Sequence, residues 1–165
     1  MIKPRDPYRF CPECGNRMIQ NTQKYTSKCT SCKFTDWNNP VPVVACLVIH
    51  ENHAILARNS KWPPGMFSVI SGFLEYQEDP EKCAIRETFE ELNLVTKSIQ
   101  WIDSMVFPEL NQIILGYSVH TEGSIKPNSE IAEIKRIPMY KLKGWDFGTG
   151  YLVQKFLEKQ KSSNQ

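Results

Sequence analysis

Two Cys-x-x-Cys pairs near the start of the chain restrict its folding more than any other feature. Cys11 and Cys14 are followed, after fourteen residues, by Cys29 and Cys32. Each pair can turn two thiolates toward one tetrahedral ion, and two such turns close a four-sulfur shell with no position left for a substrate. The surrounding residues are rich in Lys, Thr, Ser and Asn and poor in large apolar side chains. A segment that cannot build a core needs another source of stability, and structural Zn²⁺ suits this spacing. Two disulfides are the alternative, suited to an oxidising compartment. Met1 to Phe10 shows no apolar export signal, so the expectation is a cytoplasmic, reducing setting with zinc on the four sulfurs. Cys46 and Cys83 lie inside apolar patterns and are expected to be buried packing residues.

From Val43 onward the composition changes to core-forming residues, after the turn-rich junction Trp37-Asn38-Asn39-Pro40-Val41-Pro42. The expected organisation is a zinc ribbon at 1–38, a larger domain at 39–160 and a polar tail at 161–165. A formal net charge of +2 excludes a strongly basic nucleic-acid-coating surface. The ribbon still carries Lys24, Lys28 and Lys33 beside Tyr25 and Phe34, which leaves an RNA-binding module open as a rival reading. No apolar run approaches the roughly 20 residues of a membrane span, so no membrane association is expected.

In the larger domain, residues 43–50 and 54–58 read as β-strands joined by a hairpin at Glu51-Asn52-His53. A strand is expected at 66–71, after the turn Trp62-Pro63-Pro64-Gly65. A helix is expected at 80–92, with Asp79 as N-cap, Pro80 in the first position, Glu81 facing the positive end of the dipole and Asn93 as a left-handed stop. Ile85, Phe89 and Leu92 form a stripe expected to anchor that helix to the sheet. Further strands fit 99–106, 113–121 and 134–137, and a closing helix capped by Thr149 fits 150–159. Strands interspersed with two helices indicate an α+β fold, a mixed sheet packed by helices.

The helix at 80–92 carries the chemistry. Glu87, Glu90 and Glu91 stand at i, i+3 and i+4 and therefore share a face. Three such carboxylates repel one another unless a cation sits among them. Hard oxygen ligands suit Mg²⁺ or Mn²⁺, ions that neutralise a diphosphate and acidify a bound water. A solvated acidic helix face is the alternative for the three glutamates taken alone. They are phased, however, with Gly72, Glu78 and Arg86 upstream. The whole stretch resembles the Nudix box, G-x5-E-x7-R-E-U-x-E-E-x-G-U with U a bulky aliphatic. Gly72, Glu78, Arg86, Glu87, Glu90, Glu91 and Leu94 match, while Thr88 stands in place of an aliphatic and Asn93 in place of Gly.

The resemblance implies a Nudix α/β/α sandwich behind a small four-cysteine zinc ribbon. It implies that Glu87 and Glu91 are the principal Mg²⁺ or Mn²⁺ ligands, with Glu90 beside them and the backbone carbonyl of Ser71 joining them. Gly72, Glu78 and Arg86 would support the loop against the helix. A further catalytic glutamate is expected from a later loop. Glu109, Glu122, Glu130 and Glu133 are candidates, and Glu133 is favoured because it directly precedes an expected strand.

A four-cysteine ribbon ahead of a Nudix box is similar to the NADH pyrophosphatases, including those that remove NAD caps from RNA, and to short zinc-ribbon Nudix proteins associated with FAD or ADP-ribose. NADH pyrophosphatases carry Ser-Gln-Pro-Trp-Pro-Phe-Pro after the box, where this chain has Ser104-Met105-Val106-Phe107-Pro108. That departure argues against strict nicotinamide specificity, and the lack of the large N-terminal domain of many NADH pyrophosphatases makes the short FAD or ADP-ribose group the nearer expectation. The expected reaction is hydrolysis of a diphosphate joining a nucleoside to another moiety, with release of a nucleoside monophosphate. Expected partners are a small nucleotide substrate and, as further options, capped RNA and a second copy in a homodimer. Phe107, Phe73 and Trp37 are the candidate platforms for an aromatic base. The rivals are pyrophosphohydrolysis of damaged nucleoside triphosphates and a non-catalytic nucleotide- or RNA-binding module.

Overall fold

Short runs of the first forty residues mix polar side chains with single apolar or cysteine positions. In the computed structural model, which describes residues 8–21, 23 and 25–163, these runs pair as a small antiparallel sheet. Its strands are β1 (Met18–Asn21), β2 (Thr26–Cys29) and β3 (Thr35–Asp36), in that order. The register sets Met18 opposite Cys29 and Ser27 opposite Asp36. The chain falls into two compact units, Met1–Val41 with Pro108–Gln112, and Pro42–Phe107 with Ile113–Gln165. Within the first, Asn111 holds residues 38–41: its carbonyl accepts from Val41 N–H at 2.8 Å and its side chain donates to Asn38 O at 3.1 Å.

In the second unit, the unbroken apolar run from Val43 to Ile49 has the pattern of a strand covered on both faces. It forms β4 (Val41–His50). Val43, Ala45, Leu47 and Ile49 point into one core and Val44, Cys46 and Val48 into another. Glu51 and Asn52, both at positive φ, make the two-residue turn to β5 (His53–Asn59), a geometry that suits the twist of a hairpin. The remaining strands are β6 (Ile70–Phe73), β7 (Val95–Phe107), β8 (Gln112–Glu122) and β9 (Ile131–Pro138). Sheet order is β7-β8-β4-β5-β9, with β6 paired to β4.

Two helices cover the faces. Helix α1 (Pro80–Leu92) packs on the core that contains Val44 and Cys46, and α2 (Gly150–Ser163) on the one that contains Val43 and Leu47. The result is the α/β/α sandwich that the box resemblance implied. Helix α1 begins and ends as its sequence dictates. The Asp79 carboxylate accepts from Glu81 N–H at 2.9 Å, and Asn93 adopts the left-handed conformation at φ 56°, its N–H bonded to Phe89 O. Cys46 and Cys83 are buried, as expected.

Three expectations shift. The strand expected at 66–71 is only a bridge at Ser68, whose backbone pairs with Ala57, and regular pairing starts at Ile70 opposite Cys46. The chain leaves the Trp62-Pro63-Pro64-Gly65 turn beside β5 and must cross to β4, so it cannot follow one partner throughout.

The apolar stripe on α1 is also rotated. Ile85 is 40% and Phe89 53% exposed, while Cys83, Ala84, Thr88 and Leu92 are buried. Ala84 and Thr88 are small, which lets the helix approach the sheet closely. Thr88 is fully buried yet satisfied, because its hydroxyl donates to Ala84 O at 2.7 Å. A hydroxyl can therefore stand where the box usually has an aliphatic. Finally, α2 runs on to Ser163, into residues expected to be a polar tail. Its last turns bury nothing. Lys155 pairs with Glu158 at 2.9 Å, and straight-chain polar residues cost a helix little. No helix among the described residues is long and apolar enough to cross a membrane.

Candidate active site

Gly72 explains how β6 and α1 meet. A Cβ at this position would stand 1.9 Å from both Cδ and Oε1 of Glu87, so the Glu87 carboxylate lies directly over the glycine backbone. Only a residue without a side chain admits that approach. Arg86 holds the rest in place. Its Nε and Nη2 donate to the two oxygens of Glu78 at 2.8 and 2.9 Å, its Nη1 to Glu87 at 2.8 Å and Glu90 at 3.1 Å, and its Nη2 also to Phe73 O at 3.1 Å. One guanidinium thus ties the loop before α1 to the helix and to the end of β6. The same bidentate contact, with the Glu75 N–H, holds the Glu78 carboxyl down to about 2.

The three helix glutamates are not equivalent. Glu90 is exposed and paired with Arg86. Glu87 is 13% exposed, and burial pushes its carboxyl up against the opposing pull of Arg86. Glu91 is pushed up to about 8, first by burial and then by the charges of Glu87, Glu130 and Glu90. The charges that raise it are all those of carboxylates. It borders a small, solvent-open cleft with Ser71, Val69, Ala57, Asn59, Trp62 and Ile131. A partly buried carboxylate beside other carboxylates, facing open space, is a donor set that fits a hard divalent cation.

The candidates for a distal glutamate lie in different settings. Glu133 lies inside β9, directly across from Arg58 on β5, and pairs with its Nε at 3.0 Å. The strand begins earlier than the sequence pattern implied, which turns Glu133 into a cross-strand ion-pair partner. Glu130, in the loop before β9, acts on Glu91. That loop is tied to α1 by Asn128 N–H to Glu91 O at 3.0 Å, and to the end of β5 by Ser60 N–H to Glu130 O at 2.7 Å. Glu122 is paired with Lys97 at 2.7 Å.

The expected aromatic platforms also lie elsewhere. Phe107 packs against the α2-side core, edge-on to Phe147 at 6.0 Å, and Phe73 contributes its carbonyl to Arg86. Neither borders the cleft, and Trp37 is an exposed residue of the first unit. The aromatic that lines the cleft is Trp62, whose sequence context, Trp62-Pro63-Pro64-Gly65, is that of a turn. Its place between two strands, ahead of the strand that leads to Gly72, was the available signal.

In the first unit, Cys11, Cys14, Cys29 and Cys32 bring all four sulfurs within 4.8 Å of one another. Cys11–Cys32 and Cys14–Cys29 are 3.6 and 3.5 Å apart. Tetrahedral zinc with bonds of about 2.3 Å sets its sulfurs about 3.8 Å apart, so the cluster fits zinc and no disulfide is formed. The knuckle turns are built for sulfur. Gly15 turns at φ +73°, and the Ser31 and Cys32 N–H groups both donate to Cys29 Sγ at 3.3 Å. The Asn16 amides draw the Cys14 thiol down to about 6. Cys32, despite the Phe34 N–H, is pushed up to about 12 by burial and the neighbouring sulfurs. Four sulfurs at this spacing form a donor set that fits a tetrahedral cation, which would hold all four as thiolates.

Comparison with known proteins agrees with this architecture. The NUDIX domain family matches residues 39–156. The NAD-capped RNA hydrolase NudC of Pseudomonas aeruginosa strain LESB58 is 29% identical over 126 residues, covering 76% of this chain and 45% of that protein. NudC of Vibrio vulnificus strain CMCP6 is 32% identical over 130 residues, with 77% and 49% covered. The chain thus spans about half the length of these curated relatives. A NUDIX hydrolase structure from Nitrosomonas europaea shares the fold, with a TM-score of 0.71 at 20% identity over 94% of this chain and 93% of that one. Nudix enzymes depend on divalent metals. The family match over most of the chain, the Gly72–Glu87 cradle and the sandwich around β4 agree: this chain belongs to the Nudix family.

Proposed function

We propose that this chain hydrolyses the diphosphate linking a nucleoside to a second moiety, of the NAD(H), ADP-ribose or FAD type, and releases a nucleoside monophosphate. The observation that carries the reading is Glu91, a carboxylate pushed up to about 8 by burial and by negative neighbours, at the wall of an open cleft. Glu87, Glu91 and the Ser71 carbonyl would hold Mg²⁺ or Mn²⁺, with Glu90 exchanging between Arg86 and the cation. When bound, the ion neutralises diphosphate charge and lowers the pKa of its water. Glu87 keeps its orientation through Gly72 and Arg86, and Glu78 keeps Arg86 in place. Glu130, whose charge acts on Glu91, would serve as the distal glutamate in preference to Glu133, which is paired with Arg58. The names of the curated relatives bring capped RNA into the substrate class. The cytoplasm, with its reducing thiols, suits a ribbon in which Zn²⁺ sits on the four cysteines.

The test is turnover with Mg²⁺ or Mn²⁺ on NADH, NAD, FAD, ADP-ribose, dinucleoside polyphosphates, NAD-capped RNA and deoxynucleoside triphosphates. Two monophosphates from a dinucleotide are expected. Pyrophosphate from triphosphates alone, or binding without turnover, would overturn the proposal. Glu130→Gln is expected to lower turnover at least about tenfold more than Glu133→Gln. Equal losses would return the role to neither residue.

Protein purified without chelators should carry about one zinc per chain. Its removal should raise amide exchange in Met18–Asn21 and Thr26–Cys29 to unfolded rates. Zinc well below that level, with free thiols, would sink the ribbon assignment.

A further inference from the structure

The cleft beside Glu91 has one aromatic wall, and the chain is braced to keep it there. Trp62 is half-buried and lines the same cleft as Ser71 and Glu91. Four hydrogen bonds fix the short segment that carries it. Arg58 Nη1 donates to Trp62 O at 3.0 Å, Trp62 N–H to Asn59 O at 2.9 Å, Lys61 N–H to Asn59 Oδ1 at 3.0 Å, and Ser60 N–H to Glu130 O at 2.7 Å. Arg58 is itself held by Glu133 at 3.0 Å. The register of β5 on β9 slips between Arg58 and Asn59, and such a bulge re-aims the residues that follow it. The bracing extends from Arg58 to Glu130, and it fixes the backbone of Trp62 beside the cleft that this residue lines. With Asn59 Oδ1 taken by Lys61, the Asn59 side chain can offer a ligand its NH₂ group.

We infer that Trp62 is the stacking platform for the flat heteroaromatic ring of the substrate, and so the residue that favours a base-bearing nucleotide over a bare sugar phosphate. The inference rests on the proposed diphosphate chemistry only for which molecule arrives. A large, rigid π-face ordered before binding loses little entropy on binding a ring. Stacking is tolerant of ring type, so purine and pyridinium rings are both accommodated. Glu133 acquires a positioning role in this arrangement, acting through Arg58 on the Trp62 backbone.

The experiment measures binding by calorimetry, without turnover, of AMP, nicotinamide mononucleotide and ribose 5-phosphate to the full zinc-loaded chain. Wild-type protein is expected to prefer at least one ring-bearing ligand over ribose 5-phosphate by about tenfold. The AMP and nicotinamide mononucleotide arms report which ring is favoured. Trp62→Leu keeps an apolar side chain but lacks a π-face, and should bring that preference to within about twofold while leaving ribose 5-phosphate binding unchanged. Trp62→Phe should restore most of it. A preference that survives in Trp62→Leu, or none in the wild type, overturns the inference. Because no bond is cut, the result is separable from the proposed function. Ring preference without hydrolysis would overturn the chemistry and leave Trp62 in its role, whereas hydrolysis with an unaltered KM in Trp62→Leu would do the reverse.

Discussion

Glu91→Gln will lower turnover by about three orders of magnitude and make the metal-free protein more stable at high pH. The first effect follows from removing one ligand charge from a cluster that must hold a divalent ion. The second follows from its position. Burial and the charges of Glu87, Glu130 and Glu90 raise the Glu91 carboxyl to about 8, far above the value of about 4.3 in an unfolded chain. A carboxyl raised on folding contributes stability that is fully present below the unfolded pKa and is lost as pH rises through the folded one. The wild type should therefore weaken between about pH 4 and pH 8, whereas a neutral glutamine cannot share that loss. Urea denaturation without added divalent metal should show the variant more stable above pH 8 and the gap closing below pH 4. Near-wild-type activity in Glu91→Gln would refute the metal assignment. A stability gap that ignores pH would refute the electrostatic account of the site.

Gly72→Ala should lower kcat by about a hundredfold while costing within about 1 kcal/mol of stability. The added Cβ would stand 1.9 Å from the Glu87 carboxyl. The obstructing atoms are the far end of a flexible side chain, so the fold can accommodate the methyl by letting Glu87 swing away. That movement breaks the 2.8 Å contact with Arg86 and carries a ligand out of place. Activity and denaturation measured on the same preparation separate the cases. A large loss of stability would mean that Gly72 serves the fold, and unchanged kcat would mean that Glu87 is not positioned by it.

Both predictions use residues already visible as a pattern, and the contrast with other residues shows where sequence reasoning reaches. The helix from Pro80 to Leu92 was legible because its signals are local. Asp79, Pro80 and Asn93 act on the backbone within one turn, and Glu87, Glu90 and Glu91 share a face through helical spacing alone. The four cysteines were legible for the same reason, since a knuckle is a turn of a few residues. The continuous run in β4 announced a strand covered twice, and the two cores divide it residue by residue.

What the sequence by itself determined is therefore the helix, the two knuckles, the central strand and the set of carboxylates that belong together. Only the tertiary structure decided where Glu130 and Glu133 lie relative to them, which face of α1 is buried and which aromatic lines the cleft. Glu130 and Glu133 differ by three positions, and the start of β9 at Ile131 sends one toward Glu91 and the other to Arg58. Ile85 and Phe89 lie at helical spacing, yet Ala84 and Thr88 are small enough to let the helix reach the sheet, and they take the inner face. Trp62 looked like part of a turn until Arg58, Asn59 and Glu130 fixed its backbone beside Glu91. The physical reason is common to all three. Spacing along one element is set by backbone geometry that every chain shares, whereas strand register and the approach of a helix to a sheet are settled by contacts between residues far apart in sequence.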